Sequence, residues 1–136
     1  MINILLEGFD IDAPWPYGEL KNYIKPNHSD AVVAFSFRDN RVKSLSDWDA
    51  LYGKVNGKYH DGIVGGFTAY GIPADKITFI NYFTDTKETA AQKIKAADII
   101  YFLGGLPDRM MDRIKEFDLY DVLMQHDGIL MGYSAG

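Results

Sequence analysis

Five short, predominantly apolar runs limit what this chain can fold into more than any other feature. They are Ile2 to Leu6, Ala31 to Phe37 (AVVAFSF), Ile77 to Phe83 (ITFINYF), Ile99 to Leu103 (IIYFL) and Ile129 to Tyr133 (ILMGY). Runs of this length and composition suit strands buried on both faces, as in a parallel sheet. Helical patterns with start signals fill the gaps between them. Pro16-Tyr17-Gly18-Glu19 opens a short helix that ends before Pro26. Ser46 followed by Asp49 resembles a capping box ahead of a segment reaching Ala69. That segment contains Gly57, Gly62, Gly65 and Gly66, each costing about 1 kcal/mol against Ala in a helix interior, so a break near Asn56-Gly57 is predicted. Asp85 followed by Glu88 caps an Ala-rich helix from Thr86 to Ala97. Pro107 suits the first turn of a helix running to about Met124, with Asp108 well placed against its positive end. The regular alternation of strand and helix predicts an α/β fold: an open, mostly parallel sheet with helices on both faces.

The 136 residues correspond to one domain or part of one, and 47% hydrophobic content supplies its core. There is no cysteine, which removes disulfides, thiolate metal sites and a cysteine nucleophile. A net charge of −5, spread without long runs, argues against a nucleic-acid or anionic-membrane surface. The longest apolar runs fall far short of the ~20 residues of a membrane span. Met1 to Glu7 lack a basic region and a small-residue cleavage site, so no signal peptide is evident and a cytoplasmic location is expected.

In open α/β sheets, chemistry collects at the carboxyl ends of strands. The fourth run leads into Gly104-Gly105-Leu106-Pro107-Asp108, and the fifth into Gly132-Tyr133-Ser134-Ala135-Gly136, a G-x-S-x-G pattern. A serine on a sharp strand-to-helix turn needs small residues two positions away for the turn to close. The amide after the serine then faces the same space and can donate to an oxyanion. With this glycine and serine content the bare pattern arises by chance about once in twenty-five such chains. Its place after an apolar strand, beside a second glycine turn, strengthens it. The alternative is an ordinary glycine-rich turn after a buried strand.

The paired motifs Ile99-Ile100-Tyr101-Phe102-Leu103-Gly104-Gly105 and Gly132-Tyr133-Ser134-Ala135-Gly136 resemble those of the aspartyl dipeptidase (peptidase E) and cyanophycinase family of serine peptidases. The Gly71-Ile72 turn and Asp98 ahead of the fourth run fit the same pattern. The resemblance implies a class I glutamine amidotransferase-like (flavodoxin-like) fold, of which these residues match the N-terminal half to two-thirds. It implies Ser134 as nucleophile and the backbone amides of Gly105, Leu106 and Ala135 as the oxyanion hole. It implies no cofactor and no metal, and a small peptide substrate, Asp-containing peptides included. Pro107, lacking an N–H, stands where the family often carries a polar side chain. Glutamine amidotransferases of this fold use cysteine, so thiolate hydrolysis of glutamine is excluded.

A serine hydroxyl needs an adjacent base. In that family the base histidine and its acidic partner follow the serine, so residues 1–136 read as a single α/β domain cut just after its nucleophile elbow and inactive alone. His126 precedes the fifth strand, roughly 17 Å from Ser134, against a hydrogen-bond reach of about 3 Å. His28 has the same problem, and His60 reads as a surface residue in a helical segment. Met110, Met111 and Met124 read as core, Asp61, Asp85 and Asp108 as caps and solvated faces, and Trp15 as packing near the first strand's carboxyl end. No His/Asp/Glu cluster has metal spacing. A rival reading is a non-catalytic binding module that self-associates into a homo-oligomer through an exposed sheet edge. A nucleotide binder using the Gly104-Gly105 turn is weakened by the lack of G-x-G-x-x-G or a P-loop.

Overall fold

A computed structural model describes residues 2–6, 11–104 and 107–133. Five strands form one sheet: β1 (Ile2–Leu6), β2 (Asp30–Val33), β3 (Ile77–Ile80), β4 (Ile99–Phe102) and β5 (Ile129–Tyr133). Every neighbouring pair is parallel, in the order β1-β5-β4-β2-β3. Among the described residues the connections hold α1 (Pro14–Leu20), α2 (Leu45–Tyr52), α3 (His60–Thr68), α4 (Lys87–Ala96), α5 (Pro107–Glu116) and α6 (Tyr120–Met124). The architecture is the α/β fold that the alternating runs predict. No described helix is long and apolar enough to cross a membrane.

The strand order explains which helix lies on which face. Right-handed crossovers place connections that advance one way across a sheet on one face and those that return on the other. The steps β1 to β2 and β2 to β3 advance, and α1, α2 and α3 share one core with Val32, Ala34, Ile77, Ile99, Tyr101 and Met131. The steps β3 to β4 and β4 to β5 return, and α4, α5 and α6 share the second core with Ala31, Val33, Ile80 and Ile100. β2 is buried along its whole length, which is why Ala31 to Val33 are apolar, with the buried Asp30 as the exception.

Several boundaries differ from the sequence reading, each for a local reason. The ladder of β2 stops at Val33, yet Ala34, Phe35, Ser36 and Phe37 stay buried. The second half of that run is therefore a buried loop, because apolarity reports burial and not hydrogen bonding. The cap of α2 is Ser44, not Ser46: its side chain accepts from the Asp47 amide, and Asp47 in turn accepts from Lys43 N. The expected break arrives between α2 and α3, where Asn56 takes φ 63°. Thr86, not Asp85, caps α4 through a reciprocal pair with Thr89. Asp85 is nearly enclosed rather than solvated, and forms an ion pair with Lys93 at 2.8 Å. The last predicted helix divides at Asp118, which takes φ 54°. That break resets the buried face to Ile114, Phe117, Leu119 and Leu123. Met111 and Met124 consequently turn outward, and of the three methionines only Met110 packs against the core.

Candidate functional site at the carboxyl ends of the strands

β2 and β4 are adjacent, but the chain leaves them toward opposite faces of the sheet. In open α/β sheets such a divergence marks the switch point at whose carboxyl ends ligands bind. Here the two strand ends are tied by Ser36, which is 4% exposed. Its hydroxyl shares one proton between the carbonyls of Leu103 at 2.8 Å and Gly104 at 2.9 Å. The loop after β2 thereby fixes the start of the glycine turn after β4. The signal in the sequence is a lone polar residue inside an otherwise apolar run.

A second tie crosses from α5. The Arg113 guanidinium is buried, donates to the carbonyls of Phe35 and Phe37, and meets the Asp39 carboxylate. It also lies 3.8 Å over the Phe37 ring. One planar fork so holds three acceptors of a single loop, which a lysine cannot do. Asp39 also pairs with Arg109 Nε at 3.0 Å. Beside them the Tyr82 hydroxyl donates to Glu116 at 2.7 Å. Burial first, and then Glu116, raise the Tyr82 phenol above its ordinary pKa. A third tie holds Ile11, ahead of α1. The Tyr70 hydroxyl donates to the Ile11 carbonyl. Its pKa is raised to about 12, first by burial and then by the nearby Asp12 and Tyr17, so it keeps its proton at any ordinary pH. No pattern in the sequence marks Arg113 or Tyr70 for these contacts.

The predicted site residues stand as follows. β5 ends at Tyr133, and Ser134 and Ala135 lie outside the described residues, as do Gly105 and Leu106. What the structure does place is their approach: β4 and β5 run side by side, with Phe102 opposite Gly132. An added Cβ on Gly132 would meet Phe102 at 3.5 Å, an ordinary contact. The side chain of Trp15, considered as packing at this end, is also outside the description.

The three histidines are elsewhere. His126 Nε2 donates to the Ala97 carbonyl at 2.7 Å, beside the start of β4. Its Nδ1 is buried without a hydrogen-bond partner among the described residues. His28 Nδ1 accepts from Lys25 N, ahead of β2. His60 is half-buried, not a free surface residue: its ring stacks on Phe79 at 4.9 Å and bonds the Tyr52 carbonyl at 2.8 Å. The other unusual group is Asp30 at the start of β2, which is 1% exposed. Neither carboxyl oxygen has a hydrogen-bond partner among the described residues, and burial raises its pKa well above the carboxylate range.

No protein-family description and no curated protein matches this sequence. Among solved structures, the chain is similar to a crystal structure of a protein provisionally named peptidase E from Listeria monocytogenes EGD-e, with a TM-score of 0.68 at 14% identity. The match covers 98% of this chain and 58% of that one. At such low identity the likeness is one of fold, and the fold of this chain is peptidase E-like.

Proposed function

We propose that these residues form the nucleophile-bearing part of a serine peptidase acting on a small peptide amide bond. Ser134 would attack the carbonyl and carry the acyl group. The backbone amides of Ala135, Gly105 and Leu106 would receive the oxyanion. The observation that carries this reading is the parallel adjacency of β4 and β5, the two strands that precede the two glycine motifs in the sequence. Ser36 supports it. A trans peptide presents its N–H opposite its C=O, and Ser36 holds the Leu103 carbonyl on the β2 side. The Gly104 amide therefore faces away from β2, toward the side where β5 lies.

The same reading makes residues 1–136 inactive alone. His126 and His28 belong to the amino ends of the strands, and the His60 ring is held by Phe79 and Tyr52. On this reading none of the three is the base for Ser134. A fluorophosphonate probe tests both halves of the proposal. The isolated chain is expected to label no faster than its Ser134→Ala variant. Labelling at the rate of an intact serine peptidase would overturn the claim of inactivity. Extending the chain with a segment that carries a histidine and its acidic partner is expected to give labelling at Ser134 and cleavage of Asp-containing dipeptides. A folded extended chain doing neither would overturn the peptidase reading.

A further inference from the structure

We propose that the turn after β2 binds a phosphate dianion, free or carried by a small molecule, through Arg38 and Arg41. The chain has four arginines: Arg38, Arg41, Arg109 and Arg113. Its lysines are spread from Lys21 to Lys115, but the arginines occupy only two segments. The fold brings those segments together, because Asp39 pairs with Arg109 Nε at 3.0 Å and with the buried Arg113. In a chain of net charge −5, all four arginines thus belong to one corner of the molecule. That corner lies beyond the carboxyl end of β2, the end at which open α/β sheets bind ligands.

The four are not equivalent. Arg109 and Arg113 are balanced by Asp39 and Asp112. Arg38 and Arg41 are exposed and form no ion pair among the described residues. They open and close a β-turn, since the Arg41 amide donates to the Arg38 carbonyl at 3.1 Å. Their Cα atoms therefore lie within about 7 Å of each other. The turn is held at its base. Phe37 and Val42, on either side of it, are buried. Arg113 donates to the Phe37 carbonyl at 2.8 Å, and Asp39, inside the turn, is tied to α5 by both of its arginines. The backbone is thus ordered before any ligand arrives, which lowers the entropic cost of binding. Two unpaired guanidinium groups this close call for a dianion. A phosphate monoester carries about −1.5 to −2 at pH 7 and three acceptor oxygens, enough for two planar forks. A carboxylate has one charge and two oxygens, and Asp39 already supplies one between the two arginines.

Titration calorimetry of the chain at fixed ionic strength tests this, with inorganic phosphate, glycerol phosphate and succinate as probes. Saturable binding of at least one phosphate with a Kd below about 1 mM is expected, and succinate should bind about tenfold more weakly or not at all. The tighter of the two phosphates identifies the free ion or the ester as the ligand, and either supports the site. Arg38→Gln and Arg41→Gln should each weaken phosphate binding about tenfold or more. Their urea midpoints should stay in place, because both side chains are exposed. Lys95→Gln, in the last turn of α4 and so near the amino ends of the strands, should leave the Kd unchanged. Absence of saturable binding by both phosphates would overturn the proposal. So would succinate binding as tightly as phosphate, or a loss of affinity in Lys95→Gln equal to that in the arginine variants, which would mark diffuse attraction to positive charge. The readout needs neither turnover nor Ser134, so its failure is distinct from a failure of the peptidase reading.

Discussion

The two ends of the sheet are held together by different means. At the amino ends the ties are short, backbone bonds between strand starts joined by the Ser29 and Asp98 side chains. Ser29 N and its hydroxyl donate to the Asp98 carboxylate, Ile129 N donates to Asp98 O at 2.9 Å, and Ile2 N donates to Gly128 O at 3.0 Å. At the carboxyl ends the ties are side chains reaching over loops: Ser36 to the β4 turn, Arg113 to the β2 loop and Tyr70 to Ile11. The amino end sets strand register with little room for change. The carboxyl end positions loops, which is where a rigid sheet can vary its chemistry.

The largest expected effect probes the amino end. A Cβ on Gly128 would sit 2.2 Å from Asp98 O and 2.8 Å from His126 Cε1. The first of these is backbone and already accepts from Ile129, so the β4–β5 pairing itself must shift. Gly128→Ala is expected to destabilise the fold by at least about 3 kcal/mol in urea unfolding, the upper end of overpacking costs. A loss under about 1 kcal/mol would show that this end is softer than its contacts imply.

Arg113 is the corresponding probe of the carboxyl end. Arg113→Ala leaves the Phe35 and Phe37 carbonyls without their donor and empties the space against the Phe37 ring. A cost of about 2–3 kcal/mol is expected. Arg113→Lys should recover less than half of it, because an ammonium cannot reproduce the fork. Full recovery by lysine would reduce the tie to simple charge and weaken the contrast between the two ends.

How much of this was legible depends on what each residue does. The five apolar runs gave the strands and the parallel sheet because β2 and β4 are buried on both faces, and burial is written into composition. Strand lengths were less legible, since Ala34 to Phe37 are as apolar as the strand but belong to a loop. The cap of α2 moved from Ser46 to Ser44 because both residues offer the same hydroxyl within two positions. At the site, the adjacency of β4 and β5, which precede the two glycine motifs, follows from strand order, which no single run encodes. Arg113 and Tyr70 were invisible because an arginine in an amphipathic helix and a tyrosine after one look the same whether they face water or clamp a loop. Ser36 alone left a trace, as a hydroxyl among aromatic neighbours.

Asp30 tests the amino end in a different way, with a smaller effect. It is enclosed, unpartnered among the described residues, and its pKa is raised by burial. Below about pH 4 folded and unfolded chains both hold the proton. As pH rises, the unfolded carboxyl ionises while the folded one stays neutral, so the unfolded state binds fewer protons and stability falls until the folded pKa is passed. Asp30→Asn removes this titration at nearly constant volume. Its melting temperature should exceed that of the native chain by a few degrees at pH 7, with the gap closing toward pH 4. A gap that does not change with pH would mean that Asp30 finds a partner for its charge.

The smallest effect separates the strand from the turn that follows it. Gly132 lies in β5, and against β4 an alanine there would make only ordinary contact with Phe102. The strand therefore gives no steric reason for glycine, and β-propensity weakly favours replacing it. Gly132→Ala is expected to change unfolding stability by less than about 0.5 kcal/mol, as for a substitution free of any clash. Under the proposed function, the glycine is required by the closing turn around Ser134. The same substitution in an active, extended chain should then depress acylation of Ser134 while leaving the melting temperature in place. Loss of both together would return Gly132 to a packing role in the sheet, and loss of neither would leave G-x-S-x-G as an ordinary glycine-rich turn.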